Sequence, residues 1–73
     1  MTENPLHIGQ LIEQELRRSG RSVTWFARQI HCDRVNAYDI FRRKSIDTSL
    51  LLRISIALNH DFFTDISHYL AAQ

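Results

Sequence analysis

The sequence has two glycines, one proline and one cysteine among its 73 residues, and these scarcities limit the possible structures. A single cysteine cannot form an internal disulfide, so a reducing, cytoplasmic setting is the default expectation. No apolar run approaches the roughly 18 residues that a transmembrane helix requires. The first ten residues do not show the basic-then-apolar pattern of a signal peptide. No segment alternates polar and apolar residues with period two, so no strand is predicted.

Apolar residues instead recur at helical spacing in five segments. We predict helices at about 6–19, 23–30, 34–43, 48–58 and 62–71, forming one all-α domain over residues 1–73 with its core at about 6–71. The candidate N-cap residues are Asn4, Ser22, Asp33, Asp47 or Thr48, and Asp61. Pro5 suits the first turn of the first helix, and Gly20 and Asn59 suit helix C-termini.

Charged residues are unevenly distributed, although the formal net charge is only +1. Residues 17–44 carry eight cationic side chains and two carboxylates, a net charge of +6. The rest of the chain carries one arginine and six carboxylates, a net charge of −5. A basic middle with acidic flanks favours a surface that binds a polyanion.

The basic middle contains two short predicted helices that only a few residues separate. His31 and Cys32 are the two residues between the first apolar pattern and the cap Asp33 of the next helix. Two helices this close must turn sharply, which is the geometry of a helix-turn-helix. In that motif the second helix can enter the major groove of DNA.

The ordered set of these elements resembles the lambda-repressor/Cro-like (XRE) family of DNA-binding domains from about Ile8 to Ile66. Phe26-Ala27 is similar to the family's Leu-Ala pair, and Asp33-Arg34 to the Ser-Arg that often opens its recognition helix. Further similar positions are Ser22, Ile30, Ala37, Ile40, Leu51-Leu52-Arg53-Ile54 and Ala57-Leu58. The chain departs from the family at Val23, where Gln is common, and at His31, where Gly is usual. It departs again at the end of the recognition helix, where Phe41-Arg42-Arg43 stands in place of Glu-x-Gly.

The resemblance implies a compact five-helix domain that binds double-stranded DNA in a sequence-specific way and regulates transcription by occupying an operator. It assigns base reading to the exposed side of the third helix, through Arg34, Val35, Asn36 and Asp39. Backbone contacts fall to Ser22, Tyr38, Arg42, Arg43 and Lys44. It also implies a homodimer formed around the last two helices, for which Ile56, Phe62, Phe63 and Tyr69 are the candidate interface residues.

Several of these residues have a second interpretation. Arg34 can bind guanine O6 and N7 or contact a phosphate, and Asn36 can pair with adenine or bond to the nearby backbone. Val35 suits a thymine methyl or partial burial against the second helix. Asp39 can accept from cytosine N4, or pair with Arg42 or Arg43. Tyr38 is either a backbone contact or a partly buried residue at the rim of the core.

The alternative function is a protein-interaction module on the same fold, such as an antitoxin or anti-repressor, with little or no DNA binding. It is favoured by the low net charge and by the apolar residues near the last two helices. Catalysis is not expected, because a bundle this small rarely offers a cleft. His7, His31, His60, His68 and Cys32 show no recurring metal-ligand spacing, so no metal or cofactor is predicted.

Overall fold

The computed structural model describes residues 6–73, which form five helices and no strand. The helices are α1 (Ile8–Ser19), α2 (Val23–Gln29), α3 (Arg34–Arg42), α4 (Thr48–Leu58) and α5 (Phe62–Ala71). The bounds of α4 and α5 are those predicted, and α2 and α3 each end one residue earlier. The radius of gyration of 12.3 Å is close to the ~11 Å of a compact domain of this length.

Helix α1 begins two residues later than predicted. Its N-cap is His7, whose Nδ1 accepts a hydrogen bond from the Gln10 N–H at 3.1 Å. The predicted cap Asn4 and the predicted first-turn residue Pro5 lie outside the described residues.

The other helices begin at the predicted caps. A side-chain oxygen of each cap accepts a backbone N–H from the first turn, at distances of 2.8 to 3.1 Å. These caps are Ser22, Asp33, Asp47 and Asp61. Hydrogen bonds from the hydroxyl and backbone N–H of Thr64 lower the pKa of Asp61. Each cap satisfies a donor that would otherwise lack a partner, which holds the start of its helix in place.

Three residues just after helices adopt the left-handed conformation, and two of them, Gly20 and Asn59, were predicted at helix C-termini. The φ angles are 79° at Gly20, 59° at His31 and 52° at Asn59. Asparagine and histidine tolerate this region better than most residues other than glycine. These turns end α1, α2 and α4.

The core is formed by one apolar cluster to which all five helices contribute. The buried members are Ile8, Ile12, Leu16, Phe26, Ala27, Ile30, Ala37, Ile40, Phe41, Leu51, Ile54, Leu58 and Phe62. The most extensive helix packing is of α1 on α3 and of α2 on α3, followed by α1 on α4. The Phe26 and Phe41 rings stack with their centroids 5.6 Å apart, which joins α2 to α3.

The first turn of α1 abuts the last turn of α3 through main-chain atoms. The Ile8 N–H donates to the Lys44 carbonyl at 3.1 Å, and the Gly9 N–H donates to the Arg43 carbonyl at 2.9 Å. The positive end of one helix dipole thus meets the negative end of another. Gly9 permits this approach, because a Cβ there would lie 2.4 Å from the Ile40 carbonyl oxygen.

Helix α5 has the fewest buried residues of the five helices, and Phe62 is the one buried residue in it. Leu70 belongs to the apolar residues of α5, yet its side chain is 72% exposed. Leu52 lies among the apolar residues of α4, yet its side chain is 53% exposed. Apolar surface around α4 and α5 therefore faces solvent.

Candidate nucleic-acid interface

Helix α3 presents an uncovered polar surface on the side away from the core. Its inner residues Ala37, Ile40 and Phe41 are buried against the other helices. Every residue predicted to face outward is exposed: Arg34, Val35, Asn36, Tyr38, Asp39, Arg42 and Arg43. Val35 is 76% exposed, so the alternative that it packs against α2 is wrong.

The first turn of α3 carries three of the predicted base-reading residues. Asp33 accepts the Asn36 backbone N–H at 2.8 Å, which fixes the start of the helix. The side chains of Arg34 and Asn36 make no hydrogen bond to any other residue in 6–73. A guanidinium, a branched apolar group and a carboxamide therefore project from consecutive positions with their donors and acceptors available.

The other end of α3 carries three consecutive cations, all exposed: Arg42, Arg43 and Lys44. The Arg43 guanidinium donates from Nε and Nη2 to Asp39 Oδ2, at 3.1 and 2.8 Å. Of the alternatives for Asp39, the structure therefore shows pairing with Arg43. The positive charge near α3 is consequently partly neutralised, since Asp33 and Asp39 lie on the same element.

The connection from α2 to α3 is held by a set of main-chain bonds. The Cys32 N–H donates to the Ala27 carbonyl at 2.9 Å, and the His31 N–H donates to the Arg28 carbonyl at 3.2 Å. These are the two bonds of a Schellman motif. Arg53 of α4 donates from Nη2 to the Ile30 carbonyl at 2.6 Å, which ties the turn to the body of the domain. The sequence does not reveal this last bond, because its partners come from different helices.

Cys32 is half-buried in this turn rather than fully buried. Its Sγ donates to the Asp33 carbonyl at 3.3 Å, and burial raises the pKa of the thiol. A thiol with a raised pKa is protonated at neutral pH, so it is a poor nucleophile.

Ser22 and Tyr38 line a small groove where α1, α2 and α3 meet. The groove has a volume of about 230 Å³, and Arg17, Arg21 and Phe41 also line it. The Tyr38 ring packs edge-on against Phe41 with centroids 6.0 Å apart and is 43% exposed. Tyr38 therefore lies partly buried at the rim of the core, and its contact with a DNA backbone stays a prediction.

The two arginines that line this groove each make a side-chain contact within the protein. Arg17 forms an ion pair with Glu13, four residues earlier on α1, at 2.8 Å. The Arg21 guanidinium lies 4.6 Å from the centroid of the Trp25 ring, which is a cation–π contact. The Arg21 guanidinium is therefore held beside α2, and it forms no ion pair with a carboxylate of residues 6–73.

The predicted dimer residues do not form one surface. Phe62 is fully buried in the core, so its assignment to an interface is wrong. Ile56 is 71% exposed and Phe63 is 36% exposed, and with Leu52 they line an open groove between α4 and α5. Tyr69 lines a different groove, between α1 and α5.

A histidine and two carboxylates link α1 to α5, an arrangement that spacing along the chain does not indicate. His60 Nε2 lies 2.7 Å from Asp65 Oδ2, and Nδ1 lies 3.6 Å from Glu15 Oε1. The hydrogen bond from Arg18 lowers the pKa of Glu15, and the positive charge possible at His60 acts in the same direction. These groups are on the acidic part of the chain and not on the outer surface of α3.

Within residues 6–73, no three histidine, cysteine, aspartate or glutamate side chains are arranged to hold a metal ion. No helix in the same part of the chain has the length and apolar character needed to cross a membrane.

Comparisons with protein-family models, with curated protein sequences and with solved structures found no match to this chain. Function is therefore inferred from the residues and geometry above.

Proposed function

We propose that the protein is a sequence-specific regulator that binds double-stranded DNA through a lambda-repressor-like helix-turn-helix formed by α2 and α3. In this proposal α3 enters the major groove and its first turn meets the base edges. The observation that carries the proposal is the outer surface of α3. It combines available polar groups and a 76%-exposed valine at one end with a cluster of cations at the other.

The residue types in the first turn match the chemistry of base edges. An arginine can donate two hydrogen bonds to guanine, and an asparagine can pair with adenine N6 and N7. An exposed branched side chain such as Val35 suits the methyl group of thymine. Arg34, Val35 and Asn36 are therefore the proposed base-reading residues.

The other proposed contacts are to the phosphate backbone. Arg42, Arg43 and Lys44 supply positive charge beyond the last turn of α3, while Ser22 and Tyr38 supply hydroxyl groups where α2 meets α3. Such contacts set the orientation of the protein on the duplex without reading sequence. The chain would act by occupying an operator, and as a dimer it would bind two half-sites about 34–36 Å apart.

Salt dependence of binding tests this proposal. If a dimer neutralises on the order of eight phosphates, log K should fall with log salt concentration at a slope near −7. We expect a random-duplex selection followed by sequencing to enrich one palindromic site, and titrations of that site at several salt concentrations to give this slope. A flat salt response, or no enrichment of any duplex, would contradict DNA binding.

Substitutions of two arginines at opposite ends of α3 test base reading separately from phosphate binding. We expect Arg34→Ala to relax the preference at one base pair per half-site by about 5- to 150-fold, corresponding to roughly 1–3 kcal/mol. Arg42→Ala should weaken binding to all duplexes alike and reduce the salt slope by about one per protomer. Competition titrations against single-base operator variants measure both effects. Uniform weakening by both substitutions would refute the assignment of Arg34.

A protein-interaction module is the second candidate function, and the exposed apolar side chains of α4 and α5 favour it. Leu52, Ile56 and Leu70 are each more than half exposed. Binding at this surface would be apolar and nearly independent of salt, in contrast to the slope expected for DNA. The salt titration therefore distinguishes the two candidates.

A further inference from the structure

We infer that Asp39 is a positioning residue that holds the Arg43 guanidinium as a fixed phosphate contact, and that it does not read bases. This inference rests on the proposed function, since it concerns how α3 meets a duplex. It changes the role that sequence resemblance gives Asp39.

The side chain of Arg43 is held at its charged end. Both Nε and Nη2 donate to the same oxygen, Asp39 Oδ2, at 3.1 and 2.8 Å. Two bonds from one edge of a guanidinium restrict its rotation more than a single contact does. The pair is about half exposed on each side, so the remaining donors of Arg43 can still reach a ligand.

The main chain of Arg43 is held as well. Its N–H donates to the Ile40 carbonyl at 3.1 Å, and its carbonyl accepts from the Gly9 N–H at 2.9 Å. The second bond ties Arg43 to the first turn of α1. Arg43 is therefore fixed both at its backbone and at its guanidinium.

The neighbouring cations are not held in this way. The side chains of Arg42 and Lys44 make no hydrogen bond or ion pair with any residue of 6–73. They can follow a phosphate wherever it lies, whereas Arg43 presents its charge at one position. Arg43 is thus the cation suited to set the register of α3 along the backbone, because a preorganised group loses less side-chain entropy on binding.

A carboxylate on a surface that faces phosphates opposes binding by charge repulsion. Pairing with Arg43 offsets this repulsion, because the same carboxylate holds the guanidinium in position. If this is correct, removing the Asp39 charge should help binding only when Arg43 has already been removed.

A double-mutant cycle on operator affinity tests the coupling. The variants are Asp39→Asn, Arg43→Gln and the double substitution, titrated with the selected duplex and with a scrambled duplex at one salt concentration. In the Arg43→Gln background we expect Asp39→Asn to strengthen binding, because only repulsion is lost. When Arg43 is present, the effect of Asp39→Asn on affinity should be less favourable than in the Arg43→Gln background, by a factor of about three or more, on both duplexes.

Arg42 provides the matched control for this cycle. Arg42→Gln removes a neighbouring cation that makes no bond to Asp39, so its effect and that of Asp39→Asn should multiply without coupling. Equal effects of Asp39→Asn with and without Arg43 would overturn the inference. So would a selected operator that loses a cytosine preference in Asp39→Asn alone, because that result assigns Asp39 to base reading.

A measurement on the free protein tests the inference separately from DNA binding. The heteronuclear NOE of the Arg43 Nε–H should approach that of the backbone, should exceed that of Arg42, and should fall to the Arg42 value in Asp39→Asn. If Arg43 is as mobile as Arg42 in the unchanged protein, the inference is wrong whether or not the protein binds DNA. If the NOE pattern is as expected but no duplex binds, the proposed function fails and Asp39 still positions Arg43.

Discussion

Gly9→Ala is expected to lower the free energy of unfolding by about 2–3 kcal/mol, although alanine is the better helix former by about 1 kcal/mol. A Cβ at this position would lie 2.4 Å from the Ile40 carbonyl oxygen, 2.5 Å from that of Phe41 and 2.7 Å from that of Arg43. All three atoms belong to the main chain of α3 and its end, so no flexible side chain can move aside. Helix α1 must shift instead, and the bonds to the Arg43 and Lys44 carbonyls are then lost or weakened.

Thermal denaturation followed by circular dichroism measures this effect. For a domain of 60–100 residues, a loss of 2–3 kcal/mol corresponds to a fall in Tm of roughly 8–24 °C. Gly20→Asn is the matched glycine control. A Cβ at Gly20 meets nothing within 4 Å, so the cost that remains is the strain of a side chain at a φ of 79°, which asparagine tolerates better than most residues. Gly20→Asn should therefore lower the Tm by less than Gly9→Ala does. A Gly9→Ala variant that melts as high as Gly20→Asn would contradict the close-approach account.

Phe62→Ala is expected to cost about 3–5 kcal/mol and to release α5 from the rest of the domain. Phe62 is fully buried and is the one buried residue of its helix, and the only other apolar side chain of α5 that packs against the core, Ile66, is just partly buried. The His60 ring packs against it edge-on, with centroids 4.5 Å apart, and would lose this contact as well. The polar link from His60 to Asp65 is partly exposed, and a pair of that kind contributes little by comparison.

Urea denaturation measures the change in free energy, and amide hydrogen exchange shows whether α5 is the part that opens. The control is Leu70→Ala on the same helix, which removes a side chain that is 72% exposed and should change stability by less than about 0.5 kcal/mol. Phe62→Ala with a loss below about 1 kcal/mol and unchanged protection of α5 would show that other contacts hold this helix.

The boundaries of α4 and α5 were predictable from local signals. Asp47, Asn59 and Asp61 are residues whose types favour the cap or left-handed conformation they adopt, and the helices they bound match the prediction. The start of α1 was not predictable in this way. It is determined by His7, an uncommon cap, and by the carbonyls at the end of α3, which only the folded chain brings near.

Burial was harder to predict where apolar residues are adjacent. Phe62 and Phe63 are neighbours of the same type, yet one is fully buried and the other is 36% exposed. The helical period predicts which residues share a side of α5, but not which side meets the core. The same limit applies to Leu52 and Leu70, apolar residues of α4 and α5 that are more than half exposed.

The outer surface of α3 followed from periodicity, because Ala37, Ile40 and Phe41 leave only one orientation for that helix. The partner of Asp39 could not be predicted from periodicity. Arg42 and Arg43 both lie within reach of Asp39 on a helix, and side-chain conformation decides between them. The importance of Gly9 was also not apparent from sequence. A glycine one residue into a helix indicates close packing only when the opposing backbone is known.

The bonds between the first turn of α1 and the end of α3 also have a consequence for synthesis on the ribosome. The acceptors for Ile8 and Gly9 are the carbonyls of Lys44 and Arg43, so α1 is made long before its partners exist. At about 5–20 residues per second, the intervening chain takes roughly two to seven seconds to translate. During that interval the N–H groups of Ile8 and Gly9 lack these acceptors, and the bonds that join α1 to α3 form only after the end of α3 has been made.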